Sequence, residues 1–152
     1  MQNIIYIATI ILLIKIAYID IKKKIIPDKL NLAIAMLGIF NLILNIENCK
    51  MYIASSAITF AVFLFLAVIT DGGIGGGDIK LFTVLGLIFG AEIMLIMAVT
   101  FVLAATISIS RVFLKRINMK ESIALAPYIC VASILIILKI YQLFSDLFIN
   151  MY

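Results

Sequence analysis

Apolar segments separated by short polar breaks follow one another along almost the whole chain. A helix needs about 20 apolar residues to cross the hydrocarbon core of a bilayer, and most of these segments approach that length. The pattern predicts six helices, at residues 3–19, 30–46, 51–70, 79–90, 93–110 and 122–144. We therefore expect an all-α fold: a polytopic membrane protein with six transmembrane helices in a single domain over residues 1–152.

The basic residues predict how these helices are oriented. Only Gly90-Ala91-Glu92 separates the fourth segment from the fifth, so the two could form one tilted helix. Lysine and arginine next to membrane spans stay on the cytoplasmic side, and two separate helices bring lysines 22–24, Lys80 and the basic stretch 111–120 to one side. Fusing the fourth and fifth segments into one helix would place the basic stretch 111–120 on the opposite side of the membrane. We therefore predict a multi-pass protein of the cell membrane with both termini outside.

Composition supports this class and narrows the possible chemistry. Hydrophobic residues make up 66% of the chain, charged residues 13%, and the mean hydropathy is +1.29, whereas a soluble domain has about a quarter charged residues. The net charge of +4 comes from short loops without interleaved aromatic residues, which argues against a nucleic-acid partner. Histidine is absent, and Cys49 and Cys130 lack C-x-x-C spacing, so we predict no metal site and no cofactor.

Two aspartates are the strongest candidates for chemistry. Asp20 and Asp78 each lie at the end of a predicted span, on the same predicted cytoplasmic side. An ionisable residue at the edge of a bilayer is costly and marks a functional site by default. Two neighbouring carboxylates share a proton, so one can take a proton from water while the other polarises a carbonyl group. The pair therefore indicates acid–base hydrolysis at the cytoplasmic face.

The residues around these aspartates have plausible supporting roles. Glycines 72–73 and 75–77 allow positive φ and leave room for an extended substrate backbone to approach Asp78. Pro27 lacks an N–H group and biases Ile26 away from helix, so it fits the start of the second span.

The two aspartate segments resemble known motifs. Gly75-x-Gly77-Asp78, followed by Lys80, resembles the GxGD motif of intramembrane aspartic peptidases. Together with the segment from Asp20 to Pro27-Asp28, it is similar to the type IV prepilin peptidase family, which includes archaeal preflagellin peptidases. The later Ala126-Pro127-Tyr128 resembles a small-residue and proline patch in that family's last helices.

The resemblance implies an activity, partners and site residues. It implies that Asp20 and Asp78 are the catalytic pair of an aspartic endopeptidase that removes leader peptides from pilin-like or flagellin-like precursors. Gly75, Gly77, Lys80, Pro27 and Asp28 would bind substrate or support the site, in contact with membrane lipid. Long bacterial members carry paired C-x-x-C motifs and also methylate the new N-terminus. This sequence contains no C-x-x-C motif and resembles the short, peptidase-only members.

Other interpretations stay open at this point. Asp28 beside Pro27 fits a helix N-cap or first-turn charge better than a third catalytic acid. Lys80 either tunes the charge of Asp78 or only marks the cytoplasmic boundary. The protein as a whole could instead be a small six-span cation transporter, a channel subunit or a non-catalytic scaffold. Transporters often contain internal repeats and have acids near the midplane of the bilayer. In this sequence no internal repeat is evident, and the acids lie at predicted helix ends. The sequence predicts no oligomeric state.

Overall fold

The computed structural model describes residues 2–71, 73–113 and 124–138. Six α-helices cover most of this part of the chain: α1 (Gln2–Lys23), α2 (Asp28–Leu44), α3 (Cys49–Ile69), α4 (Gly76–Phe89), α5 (Ile93–Phe113) and α6 (Ala126–Ile137). Short 3-10 turns precede α3 and α5, and the described residues form no strand. The prediction of an all-α fold is confirmed. Lys115, Arg116, Lys120 and both predicted ends of the sixth segment lie outside the described residues.

Three stretches are long and apolar enough to cross a membrane: Gln2–Lys23, Ile46–Ile69 and Gly76–Ser110. The last of these contains both α4 and α5, and α6 is a shorter apolar helix. In α1 the residues at 5, 9, 13, 16 and 20 are buried, whereas isoleucines 4, 7, 11 and 14 are exposed. This spacing puts one face of the helix against its neighbours and leaves an apolar face outward. A membrane protein is consistent with these helices, and the count of six spans stays a prediction.

The helices α2 and α4 run parallel in one register. Near their starts, the Asn31 side-chain amide lies 3.5 Å from the carbonyl oxygen of Gly77, and near their ends Asn41 donates to the carbonyl of Leu87 at 3.1 Å. Both pairs are 46 residues apart in sequence. A Cβ atom on Gly38 would lie only 2.8 Å from Leu87 Cβ. The missing side chain at Gly38 therefore allows the two helices to approach closely.

The helices α3 and α4 run antiparallel. Ser56 Oγ donates to the carbonyl of Thr83 at 2.8 Å, and a Cβ atom on Gly86 would lie 2.7 Å from Ser56 Cα. Further along α3, the ring of Phe63 stacks on that of Phe82 with centroids 4.3 Å apart. Because positions rise along α3 as they fall along α4, the helices point in opposite directions.

The helix α1 is antiparallel to both α4 and α6. Tyr6, near the start of α1, stacks on Phe89 at the end of α4. Asp20, in the last turn of α1, accepts a hydrogen bond from the first residue of α6, Ala126. The starts of α2, α4 and α6 therefore gather at the end of the bundle where α1 finishes.

Gly90 separates α4 from α5. Its backbone has φ 57° and ψ −132°, a conformation that residues with a Cβ atom rarely adopt. This residue ends α4 and begins the 3-10 turn Gly90–Glu92. The predicted break between the fourth and fifth segments is confirmed at this position. The predicted start of the fourth segment at Ile79 is wrong, because α4 begins at Gly76 with the carbonyl of Gly75 accepting the N–H groups of Asp78 and Ile79.

We expect Gly90→Ala to destabilise the protein. The new Cβ atom would lie 3.0 Å from the Tyr52 ring and from Met51 Cε, and positive φ strains any side chain. We expect the free energy of unfolding in detergent to fall by about 1–3 kcal/mol. The control is Gly76→Ala, because a Cβ atom there meets nothing within 4 Å. Equal stability of the two variants would contradict this reading of Gly90.

Candidate active site

Asp20 is held in the last turn of α1, on the buried face of that helix. Its exposed fraction is 5%, and its Oδ2 atom accepts the backbone N–H of Ala126 at 3.0 Å. The helix ends directly afterwards at Lys24, which has φ 52° and donates its N–H to the carbonyl of Asp20 at 2.8 Å. This left-handed ending turns the chain towards α2.

Asp78 is the third residue of α4, and Gly75 is the N-cap of that helix. The Asp78 carboxylate lies over the start of its own helix, with Oδ2 3.0 Å from the place that a Cβ atom on Gly75 would take, and an acid at the third helical position is typical of a capping box. The other oxygen, Oδ1, is buried and has no hydrogen-bond partner among the described groups. An unsatisfied buried oxygen is costly, so this atom is available to a proton, a water molecule or a substrate.

Asp20 and Asp78 both line a cavity of about 380 Å³. The carboxylates lie close enough to interact electrostatically. The residues that line the cavity come from the end of α1, the connection to α2 and the starts of α2 and α4. They are Asp20, Lys24, Ile25, Ile26, Asp28, Gly75, Gly76, Gly77, Asp78 and Lys80. The cavity thus contains six of the seven residues predicted for the site, with Pro27 as the exception. Their roles in chemistry stay predictions.

The glycines beside Asp78 provide space and do not use positive φ. Gly75 has φ −66°, and Gly90 alone has positive φ among the glycines described. A role for positive φ at residues 73 and 75–77 is therefore not supported, and Gly72 lies outside the described residues. A Cβ atom on Gly77 would lie 3.0 Å from Ile26 Cβ, and one on Gly75 would lie 3.0 Å from Asp78 Oδ2. Both glycines allow close contacts at the start of α4.

Pro27 caps α2 from outside the cavity. It is the N-cap residue, with φ −69°, and its carbonyl accepts the N–H groups of Leu30 and Asn31. The predicted role at the start of the second helix is confirmed. By fixing the chain here, Pro27 also holds the buried Ile26 side chain against Gly77.

Lys80 pairs with Asp28 at the rim of the cavity. The Lys80 Nζ and Asp28 Oδ1 atoms are 2.8 Å apart, and the two side chains are 60% and 76% exposed. Asp28 is the first residue of α2, which confirms the first-turn interpretation. Lys80 therefore has Asp28 as its partner. The sequence indicated only that Lys80 tunes the charge of Asp78 or marks the cytoplasmic boundary, and it did not predict this pair.

Sequence reasoning did not assign three parts of the site. Lys24 and Ile25 line the cavity because of the left-handed turn at the end of α1, and Asn31 lies buried beneath the start of α4. The N–H of Ala126 contacts Asp20. The proline at 127 was a signal for the start of a helix, but no local pattern tells which side chain a helix start will meet.

Comparisons with known proteins bear on the same segments. The type IV leader peptidase family matches residues 7–110. The "Prepilin leader peptidase/N-methyltransferase" of Bacillus subtilis is 33% identical over 127 residues, which is 82% of this chain and 51% of that protein. The "Prepilin peptidase EppA" of Methanocaldococcus jannaschii is 41% identical over 88 residues, 57% of this chain and 24% of that protein. The protein of the same name from Methanococcus maripaludis is 36% identical over 89 residues, 58% of this chain and 24% of that protein.

The chain thus spans about half the length of the Bacillus relative and about a quarter of each archaeal one. No solved structure matches the chain. All three relatives are named as peptidases, which favours the predicted peptidase over the transporter or channel.

We expect the pair of Lys80 and Asp28 to contribute little to stability. Because both side chains are exposed, water screens their attraction, and the coupling energy from a double-mutant cycle of Asp28→Asn and Lys80→Gln should be below about 1 kcal/mol. Urea unfolding in detergent, at low and high salt, measures it. A coupling of several kcal/mol that persists in high salt would mean that the pair is more deeply shielded than its exposure indicates.

Proposed function

The chain belongs to the type IV leader peptidase family, and we propose that it is a membrane-embedded aspartic endopeptidase that removes the leader peptide from type IV prepilin-like or preflagellin-like precursors. The single observation that carries the proposal is the cavity that Asp20 and Asp78 line together, at the ends of two apolar helices. In this proposal Asp20 and Asp78 are the catalytic residues.

The two carboxyl groups divide the hydrolysis between them. The ionised one takes a proton from a water molecule, whose oxygen bonds to the carbonyl carbon of the scissile peptide, while the protonated one gives its proton to the carbonyl oxygen. The resulting diol then breaks the C–N bond. One diol hydroxyl returns a proton to the carboxylate that gave one, and the carboxyl that took the water proton passes it to the departing amine. Both aspartates end as they began.

The surroundings of the pair favour an extended peptide as the substrate. Gly76 contributes no side chain and a Cβ atom there would meet nothing within 4 Å, so a peptide backbone can approach α4 at this point. The cavity lies at the end of α1 and the start of α4. If these helices span the bilayer, a peptide bond that enters the cavity lies at the membrane surface. The precursor would therefore present a short polar leader outside the bilayer, followed by an apolar helix beside the bundle.

We also propose six membrane spans, with the cavity at the cytoplasmic face and both termini outside. The alternating directions of α1, α3 and α4 and the gathering of helix starts near Asp20 support this arrangement. The lysines at 22–24 and Lys80 lie at that same end of the bundle, as the preference of basic residues for the cytoplasm requires.

We expect Asp20→Asn and Asp78→Asn each to abolish leader cleavage, by at least about 100-fold, because each removes one of the two proton-transfer groups. Purified variants, matched for folding, are mixed with a prepilin precursor, and leader removal is followed by mass spectrometry. Asp71→Asn is the control, since this exposed acid does not line the cavity and asparagine tolerates its φ of 50°. Near-normal cleavage by Asp20→Asn or Asp78→Asn would contradict the assignment of these two aspartates as the catalytic residues.

Cysteine labelling tests the orientation. In a background of Cys49→Ser and Cys130→Ser, we expect Lys23→Cys and Lys115→Cys to react with a membrane-impermeant maleimide only from the cytoplasmic side, and Asn48→Cys only from outside. Labelling of Lys115→Cys from outside would mean that α4 and α5 cross the membrane as one span, and the six-span arrangement would fall.

A further inference from the structure

The start of α6 meets Asp20 in a way that the two motif segments do not explain. The first N–H groups of a helix have no partners within it, and Leu125, at the N-cap of α6, provides no side-chain cap. The fully buried Ala126 donates its N–H to Asp20 Oδ2 at 3.0 Å. A carboxylate from α1 thus caps α6, which lies beyond the residues 7–110 that match the family.

Asp78 has a different environment. It lies in the first turn of its own helix, but its Oδ1 is buried without a partner among the described groups. Two neighbouring carboxylates do not both ionise readily, so one of them carries the shared proton. Both aspartate side chains lie at the start of a helix, so the helix dipole does not distinguish them. A hydrogen bond from a backbone N–H favours the ionised carboxylate, whereas an unpartnered buried oxygen favours the neutral acid. The two sites therefore differ in the form that they stabilise.

We propose that the N-terminus of α6 is a third part of the active site: the backbone N–H of Ala126 holds Asp20 as the ionised carboxylate that takes the water proton, and Asp78 is the acid that protonates the scissile carbonyl. This assignment rests on the proposed function and adds to it a division of roles. Ala126 is a positioning residue that acts through Asp20. We therefore expect the site to depend on α6, which follows the two motif segments.

The other charged groups near Asp20 do not account for this asymmetry. On α4, besides Asp78 itself, Lys80 is engaged by Asp28 from α2. Lys24, at the end of α1, is exposed and lines the same cavity. From α6 the buried thiol of Cys130 is the titratable group one turn further in. All of these groups remain when the N–H of Ala126 is removed, so its effect can be isolated.

The test removes that one N–H group. Replacing Ala126 with lactic acid changes the backbone amide to an ester and leaves the side chain intact. The matched control makes the same change at Tyr128, whose N–H bonds only to the carbonyl of Leu125 in the first turn of α6.

Two readouts are measured in detergent micelles. The carboxyl carbon resonances of ¹³C-labelled aspartate, assigned by their loss in Asp20→Asn and Asp78→Asn, are followed as the pH is changed. We expect Asp20 to ionise at lower pH than Asp78, and the Asp20 midpoint to move up by about one pH unit without the Ala126 N–H. The acid limb of kcat/KM for precursor cleavage should move up with it, and the Tyr128 control should shift neither.

Three outcomes overturn the proposal: the reverse order of ionisation, an Asp20 midpoint that does not move, and an equal shift in the Tyr128 control. Failure of the proposed function is distinguishable from these. If the unaltered protein cleaves no precursor, that function falls, whereas the Asp20 resonance still reports whether the start of α6 sets its ionisation.

Discussion

The position of Asp78 depends on the close packing of α4 between α2 and α3. Gly38 on α2 and Gly86 on α4 remove side chains where Cβ atoms would come within 2.8 Å and 2.7 Å of a neighbouring helix. In a bilayer, where lipid is as apolar as leucine, this close approach and the hydrogen bonds it permits are what hold helices together. The bonds from Asn41 and Ser56 to carbonyls of α4 act in the same way. With α4 held on both sides, its first turn has a defined place.

The second requirement is to hold two carboxyl groups among apolar helices. Each charge is expensive there unless it has polar partners, and both carboxyl groups lie at the starts of helices. Asp20 accepts the N–H of Ala126 at the start of α6, and Asp78 lies in the first turn of its own helix. The first N–H group of α6 and the Asp20 carboxylate thus satisfy each other, whereas Asp78 Oδ1 has no partner among the described groups.

The packing also accounts for the composition of the site. The end of α1 turns at Lys24, Pro27 begins α2, and Ile26 between them rests on Gly77. This short connection brings Asp20 and Asp28 to the same cavity although one ends a helix and the other begins one. Residues from three helices thus form a cavity that contains Asp20, Asp28 and Asp78 at one end of the bundle, while many large apolar side chains of the described residues are exposed elsewhere.

The sequence alone determined the features that depend on local pattern. Apolar segments predicted the helical fold and Pro27 predicted the start of α2, because segment length and a missing N–H act within a few residues. The break at Gly90-Ala91-Glu92 followed from the distribution of lysine and arginine along the chain. The rarity of acids in apolar segments singled out Asp20 and Asp78. Only the tertiary structure decided that Lys80 pairs with Asp28, that Gly77 makes room for Ile26, and that Ala126 binds Asp20. These contacts join residues from different helices, and they depend on helix register and rotation, which the packing of all the helices sets together.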